Sequence, residues 1–246
     1  MKTMTYFLTL LWGTLMAFLP GMATLHEQAD ELREAGKTLE AINLYNQVIV
    51  AYQEKQDYRG VIEALTGNFL SWKHLYYKTH DKMYALIAKA EAEKMLAIAK
   101  AKQVQNKEHL IHYLLGTAAL LLEDYPQAVN ELSQAIDQFP RDEAEKGDWM
   151  THLGDALIRN GDKEKGNEMM LKGIEKIQAN ATQIDSFRLH VWLSGAYMRL
   201  AHLLKKENPD QSKAYLNQAQ EIIDNDPRLV IRKGQLESYL KQNQGL

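Results

Sequence analysis

The chain has 246 residues, 46% of them apolar, and a formal net charge of −3. That balance offers neither a basic field for nucleic acid nor an acidic tail. Cysteine is absent, which excludes disulfides, thiolate metal sites, a cysteine nucleophile and a cysteine-linked lipid anchor.

Residues 1–23 differ in character from the rest of the chain. Lys2 precedes an uncharged apolar run from Tyr6 to Leu19, then Pro20 and the small residues Gly21 and Ala23. This is the layout of a secretory signal peptide. Cleaved, it would make the protein periplasmic or secreted. The run is short against the roughly 20 residues of a spanning helix. Extended to Ala23 it would serve as an uncleaved membrane anchor, the only membrane contact the sequence offers. A third reading starts a cytoplasmic protein at Met22. All three stay open.

The remainder reads as helical hairpins. In the first, residues 24–53, Leu25, Ala29 and Leu32 share one face at i, i+4 and i+7. Gly36 makes the turn, since glycine accepts a left-handed cap. Leu39, Ala41, Ile42, Tyr45, Val48 and Ile49 form the apolar stripe of its second helix. Residues 58–103 predict two long helices broken around Thr79-His80-Asp81. The first is aromatic-rich (Phe69, Trp72, Tyr76, Tyr77) and the second alanine-rich (Ala85, Ala88, Ala92, Ala99), with alanine favouring helix intrinsically.

The third unit, residues 109–142, is the most regular: HLIHYLLGTAALLLEDYPQAVNELSQAIDQFPRD. Gly116 lies on its first helix and Ala128 and Ala135 on its second. Asp124 and Tyr125 turn the chain, and Pro126 enters the second helix where its missing N–H is not needed. Pro140 closes the unit. A fourth hairpin spans residues 148–179. Gly166 and Gly173 fall inside its second helix, where each costs about 1 kcal/mol against alanine unless close packing offsets it. A fifth spans residues 186–225, with a long loop over Lys205–Gln211 and a second helix from near Ser212. Residues 230–242 predict a helix that caps the array.

Three hairpins share one spacing of small or slim residues. Gly116, Ala128 and Ala135 are separated by the same intervals as Ala29, Ala41 and Val48, and as Gly154, Gly166 and Gly173. Each has a larger residue before the last of these: Leu132, Tyr45 or Met170. Two antiparallel helices pack with axes about 8–10 Å apart, which calls for little side chain at the crossing. The third unit has the length of about 34 residues that marks the tetratricopeptide repeat (TPR), and the recurrence marks a solenoid. On these residues the chain resembles the TPR family. The resemblance implies an all-α fold, a right-handed α-solenoid of about five TPR-like helix–turn–helix hairpins with a C-terminal capping helix.

No phosphate-binding glycine loop, HExxH, calcium loop or nucleophile elbow is present. His109 and His112 are three apart on a helix, but no further ligands are nominated for a metal. The expectation is therefore no catalytic residue, no cofactor and no metal. The resemblance implies a non-enzymatic protein–protein interaction module, a scaffold that holds a peptide or partner helix in a concave groove lined by the first helix of each hairpin. Candidate groove residues are Asp30, Arg33, Trp72, Tyr76, His112, Trp149, Arg188 and Trp192, since Trp, Tyr and Arg are enriched at binding hot spots. The alternatives are a self-association module forming a homo-oligomer and, third, an enzyme with a groove site that no spacing reveals.

Overall fold

The structure is a computed structural model that describes residues 22–141 and 143–243. The apolar run on which the signal and anchor expectations rest lies outside the described residues. Among the described residues are eleven α-helices, a single 3₁₀ turn at Ala181–Gln183 and no strand. None of these helices is long and apolar enough to cross a membrane.

Acidic and amide side chains fix where many helices begin. Asp57 caps α3 (Tyr58–Thr79), accepting from the Gly60 N–H, and Asp81 caps α4 (Lys82–Lys102). Asp124 caps α6 (Tyr125–Asp137), Asp162 caps α8 (Lys163–Ala179) and Asp185 caps α9 (Ser186–Leu204). Such a side chain satisfies one of the four amide donors a helix start leaves unpaired. The turns inside three hairpins use the same left-handed residue one step earlier: Gly36, Glu123 and Gly161 all have positive φ. The remaining helices are α1 (Met22–Glu34), α2 (Thr38–Glu54), α5 (Glu108–Leu121), α7 (Ala144–Arg159), α10 (Pro209–Asn225) and α11 (Val230–Asn243).

Three local details differ from the sequence reading. The expected loop at Lys205–Gln211 is shorter, because Asn208 accepts from the Gln211 N–H and Pro209 sits in the first turn, so α10 starts at once. Helix α7 begins at Ala144, ahead of the expected residue 148. Leu39, assigned to an apolar stripe, is 67% exposed at the start of α2.

Helices α1 to α10 pack as five successive pairs, and each pair rests on the next. The repeated small residues lie at the crossings. Ala29, Ala41, Ala128 and Ala135 are fully buried, with Tyr45, Leu132 and Met170 filling the space beside them. One continuous core runs from α3 through α7. Ala128→Leu is expected to overpack this core and cost about 1–3 kcal/mol. An unchanged urea midpoint would contradict a close α5–α6 crossing at Ala128.

Helix α11 does more than cover the last pair. Leu229 and Leu236 pack with Phe187, Val191 and Ile223 of α9 and α10. The helix also touches α3, and Val230 approaches the α1–α2 turn at Gly36. It therefore bridges the first and last hairpins across the inside of the curve.

Candidate partner-binding groove and central cavity

The first helix of every hairpin contributes to one concave surface. A cavity of about 250 Å³ opens there, walled by Glu34 of α1, Lys73, His74 and Tyr77 of α3, and Leu110, Tyr113 and Leu114 of α5. Glu145, Asp148, Trp149 and His152 of α7 and Trp192 and Arg199 of α9 complete the curve, and Ile231, Arg232 and Gln235 of α11 form the remaining wall. A second cavity of about 150 Å³ shares Tyr77, His152 and Arg199 with it and is bounded further by Tyr76, Thr117, Asp155 and Arg159.

Aromatic stacking builds one wall. Trp149 is 2% exposed. It stacks on Tyr113 with ring centroids 4.6 Å apart and meets Phe139 edge-on at 4.6 Å. His152 meets the edge of Tyr113 at 5.4 Å. These rings bury a large apolar area with few rotatable bonds, which makes the wall stiff.

The polar side is a buried network centred on Asp148, 6% exposed. Tyr113 donates its hydroxyl to Asp148 Oδ2 at 3.4 Å, and Arg199 Nη2 lies 3.4 Å from Asp148 Oδ1. Arg199 also donates to Thr151 Oγ1 at 2.5 Å. Arg232 donates to the Val191 carbonyl at 3.2 Å and to Gln235 Oε1 at 2.6 Å. Of the residues lining the larger cavity, His74 and Arg199 each hold a buried atom, Nδ1 and Nε, with no hydrogen-bond partner among the described residues.

Burial and like charge shift the groups around the cavity. Burial, with the Arg232 charge next in importance, pushes the Lys73 ammonium down to about 8. Burial and the Lys73 charge hold His74 well below 6.5, and burial and Arg199 do the same to His152. Burial first, then Asp148, raises the Tyr113 hydroxyl. Both imidazoles are thus neutral in the folded protein while the unfolded chain protonates them near 6.5. Stability is expected to fall as pH drops below about 6.5, since the unfolded state then binds the extra protons. The urea midpoint should decline less between about pH 7.5 and 5.5 in His152→Gln than in the parent. Equal declines would refute the assignment for His152.

The eight residues nominated from sequence are dispersed. Trp149 and Trp192 line the larger cavity and Tyr76 the smaller. Trp72 stacks on Tyr84 of α4. His112 pairs with Glu131 of α6 at 2.7 Å. His109 instead packs against Phe139 and Trp149, so the two histidines do not converge. Asp30 and Arg33 bond each other and the Tyr45 hydroxyl. Arg188 is exposed at the start of α9 beside Asp185. The groove candidates drawn from sequence do not include Lys73, Tyr77, Asp148, His152, Arg199 or Arg232. The available signal was helical spacing, with Lys73 and Tyr77, and Asp148, His152 and Asp155, falling on common faces of first helices.

Stacked helical hairpins whose first helices share a concave face define an all-α solenoid. Among such proteins, this chain is TPR-like. Its fold is similar to that of BtubC (BKLC) from P. vanneervenii at a TM-score of 0.57 and 19% identity, covering 82% of this chain and 80% of the other. It is also similar to a Podosopora anserina putative kinesin light chain with nearly identical TPR-like repeats. Two structures of that protein give TM-scores of 0.53 and 0.52 at 17% and 16% identity, covering 84% and 91% of this chain and 96% of each of the others. No protein-family model matches the chain, and no curated protein matches it.

Proposed function

We propose that the protein is a non-enzymatic interaction module that holds a peptide or helix of another protein against its concave surface. The observation that carries this reading is α11. A helix of the chain already lies against α3 and α9 on the inside of the curve, so the surface accommodates a helix, and the first helices extend beyond the part it covers. Trp192 on the larger cavity and Tyr76 on the smaller are both half-buried and present ring area to the concave surface. A partner segment can use that area without unpacking the core.

A photo-crosslinking amino acid at position 192 and another at Leu171, exposed on α8, test the reading in the native host. Position 192 should capture a discrete partner that position 171 does not. Capture at 171 alone, or at neither, would count against the groove. The same experiment reads out location: a partner confined to the envelope would match an N-terminal signal or anchor.

Self-association has its own observation. Leu39 and Val50 of α2 and Met83 and Leu86 of α4 are exposed apolar side chains in the first two hairpins. A monomeric mass at all protein concentrations would remove that reading.

A further inference from the structure

We propose that the cavity between α3, α7, α9 and α11 is a binding site for a small organic monocarboxylate with an apolar body, clamped between Lys73 on one side and Arg199 and Arg232 on the other. The site shares Trp192 with the surface proposed for a protein partner but does not depend on that use.

Charge gives the sign and size of the ligand's head. Of the charged residues in the wall, Arg228 is committed to Asp226, and Glu34 shares Arg33 with Asp30. Lys73, Arg199 and Arg232 then stand against Asp148 and Glu145. Neither Lys73 nor Arg232 has a carboxylate in direct contact, so a single negative charge placed between them would find both unpaired. Among the described residues Lys73 makes no hydrogen bond or ion pair, while Arg232 is bound only to a carbonyl and an amide. Partly desolvated cations without counter-charges oppose folding, and such local violations concentrate at functional sites. A carboxylate would gain charge-assisted hydrogen bonds from them.

The rest of the wall describes the ligand's body. Leu110, Leu114, Trp149, Trp192 and Ile231 supply apolar area next to the cations. At about 250 Å³ the cavity lies below the roughly 300–1,000 Å³ that takes drug-sized ligands. Helix α11 forms one wall, so a polypeptide would have to displace it, whereas a small acid would not. Gly195 makes room for the clamp: a Cβ there would stand 2.5 Å from Arg232 Nη2. Any side chain at 195 displaces the guanidinium.

The test is calorimetric titration of the full chain at about pH 7 with benzoate, 3-phenylpropionate and hexanoate, with their neutral amides, and with inorganic phosphate. At least one acid should bind roughly tenfold or more tightly than its amide and more tightly than phosphate. Lys73→Met should abolish that preference without lowering the melting temperature, because it removes an unpaired desolvated charge, and Lys73→Arg should keep it. Gly195→Ala, which leaves every charge in place, should weaken the preference. The affinity should decline as pH rises past about 8, where Lys73 loses its proton. Equal binding of acids and amides, no binding of any acid at millimolar concentration, phosphate binding as tight as the best acid, or a preference that survives Lys73→Met would each overturn the proposal.

Discussion

Gly173→Ala is expected to destabilise the protein by about 2 kcal/mol, although alanine is the better helix former by about 1 kcal/mol. Helices α7 and α8 approach backbone to backbone at two levels. A Cβ on Gly173 would stand 2.6 Å from the Gly147 carbonyl oxygen, and one on Gly147 would stand 2.6 Å from that of Gly173. Two helical turns away, Gly154 and Gly166 face each other in the same way, at 2.6 and 2.7 Å. Carbonyl oxygens in a helix cannot rotate aside as a side chain can, so a methyl group must push the helices apart. The separation then opens contacts around Met170 and Ile177, both fully buried. Adding Gly147→Ala to Gly173→Ala should cost less than the sum of the two, because the helices need to separate only once. The control is Gly234→Ala on α11, where nothing lies within 4 Å of the added carbon. It should stabilise by up to about 1 kcal/mol. Urea unfolding of the four variants (Gly173→Ala, Gly147→Ala, their combination and Gly234→Ala) decides the matter, and a stabilising Gly173→Ala would mean that α7 and α8 are not in backbone contact.

Asp148→Leu should be the most damaging single change at the cavity, lowering stability by about 3–5 kcal/mol. Asp148 is the carboxylate in contact with Arg199, and it accepts from Tyr113. Its loss leaves the Arg199 guanidinium, only 17% exposed, without an ion-pair partner and near two other cations. Breaking a buried pair by removing one member costs more than removing both, since the remaining charge stays desolvated. The double variant Asp148→Leu with Arg199→Met should therefore recover much of the stability. A double-mutant cycle showing simple additivity would place the cost in packing around residue 148 and not in the charge network.

Much of the hairpin architecture was legible because its determinants are local. Ala128, Leu132 and Ala135 sit at the α5–α6 crossing and are fully buried, as a stripe of that spacing requires. Gly36 and Gly161 have the left-handed φ that their turns need. Local chemistry also misled where two signals competed. KKENPDQ reads as loop by composition, yet Asn208 and Pro209 together are a helix start. Glu123 adopts positive φ where the equivalent turns use glycine, which no residue preference indicates.

The cavity was far less legible. Lys73, Asp148 and Arg199 look like ordinary charged positions on amphipathic helices, and periodicity assigns such residues to solvent. What puts them inside is the curvature of the array, which turns the first helices toward a common centre, and the return of α11. Arg232 reaches that centre past Gly195 on another helix, where an added Cβ would stand 2.5 Å from its Nη2.

The sequence by itself determined the element type, the pairing of neighbouring helices and the repeated spacing of small residues. All of these depend on caps, turn residues and small-residue spacing within a few tens of positions. Only the tertiary structure decided which polar residues share a cavity and that the two glycine pairs of α7 and α8 meet face to face. It also decided that the last helix crosses to the first hairpins. Those relations join residues far apart in the chain. They depend on the summed rotation from one hairpin to the next, which no single stretch of sequence specifies.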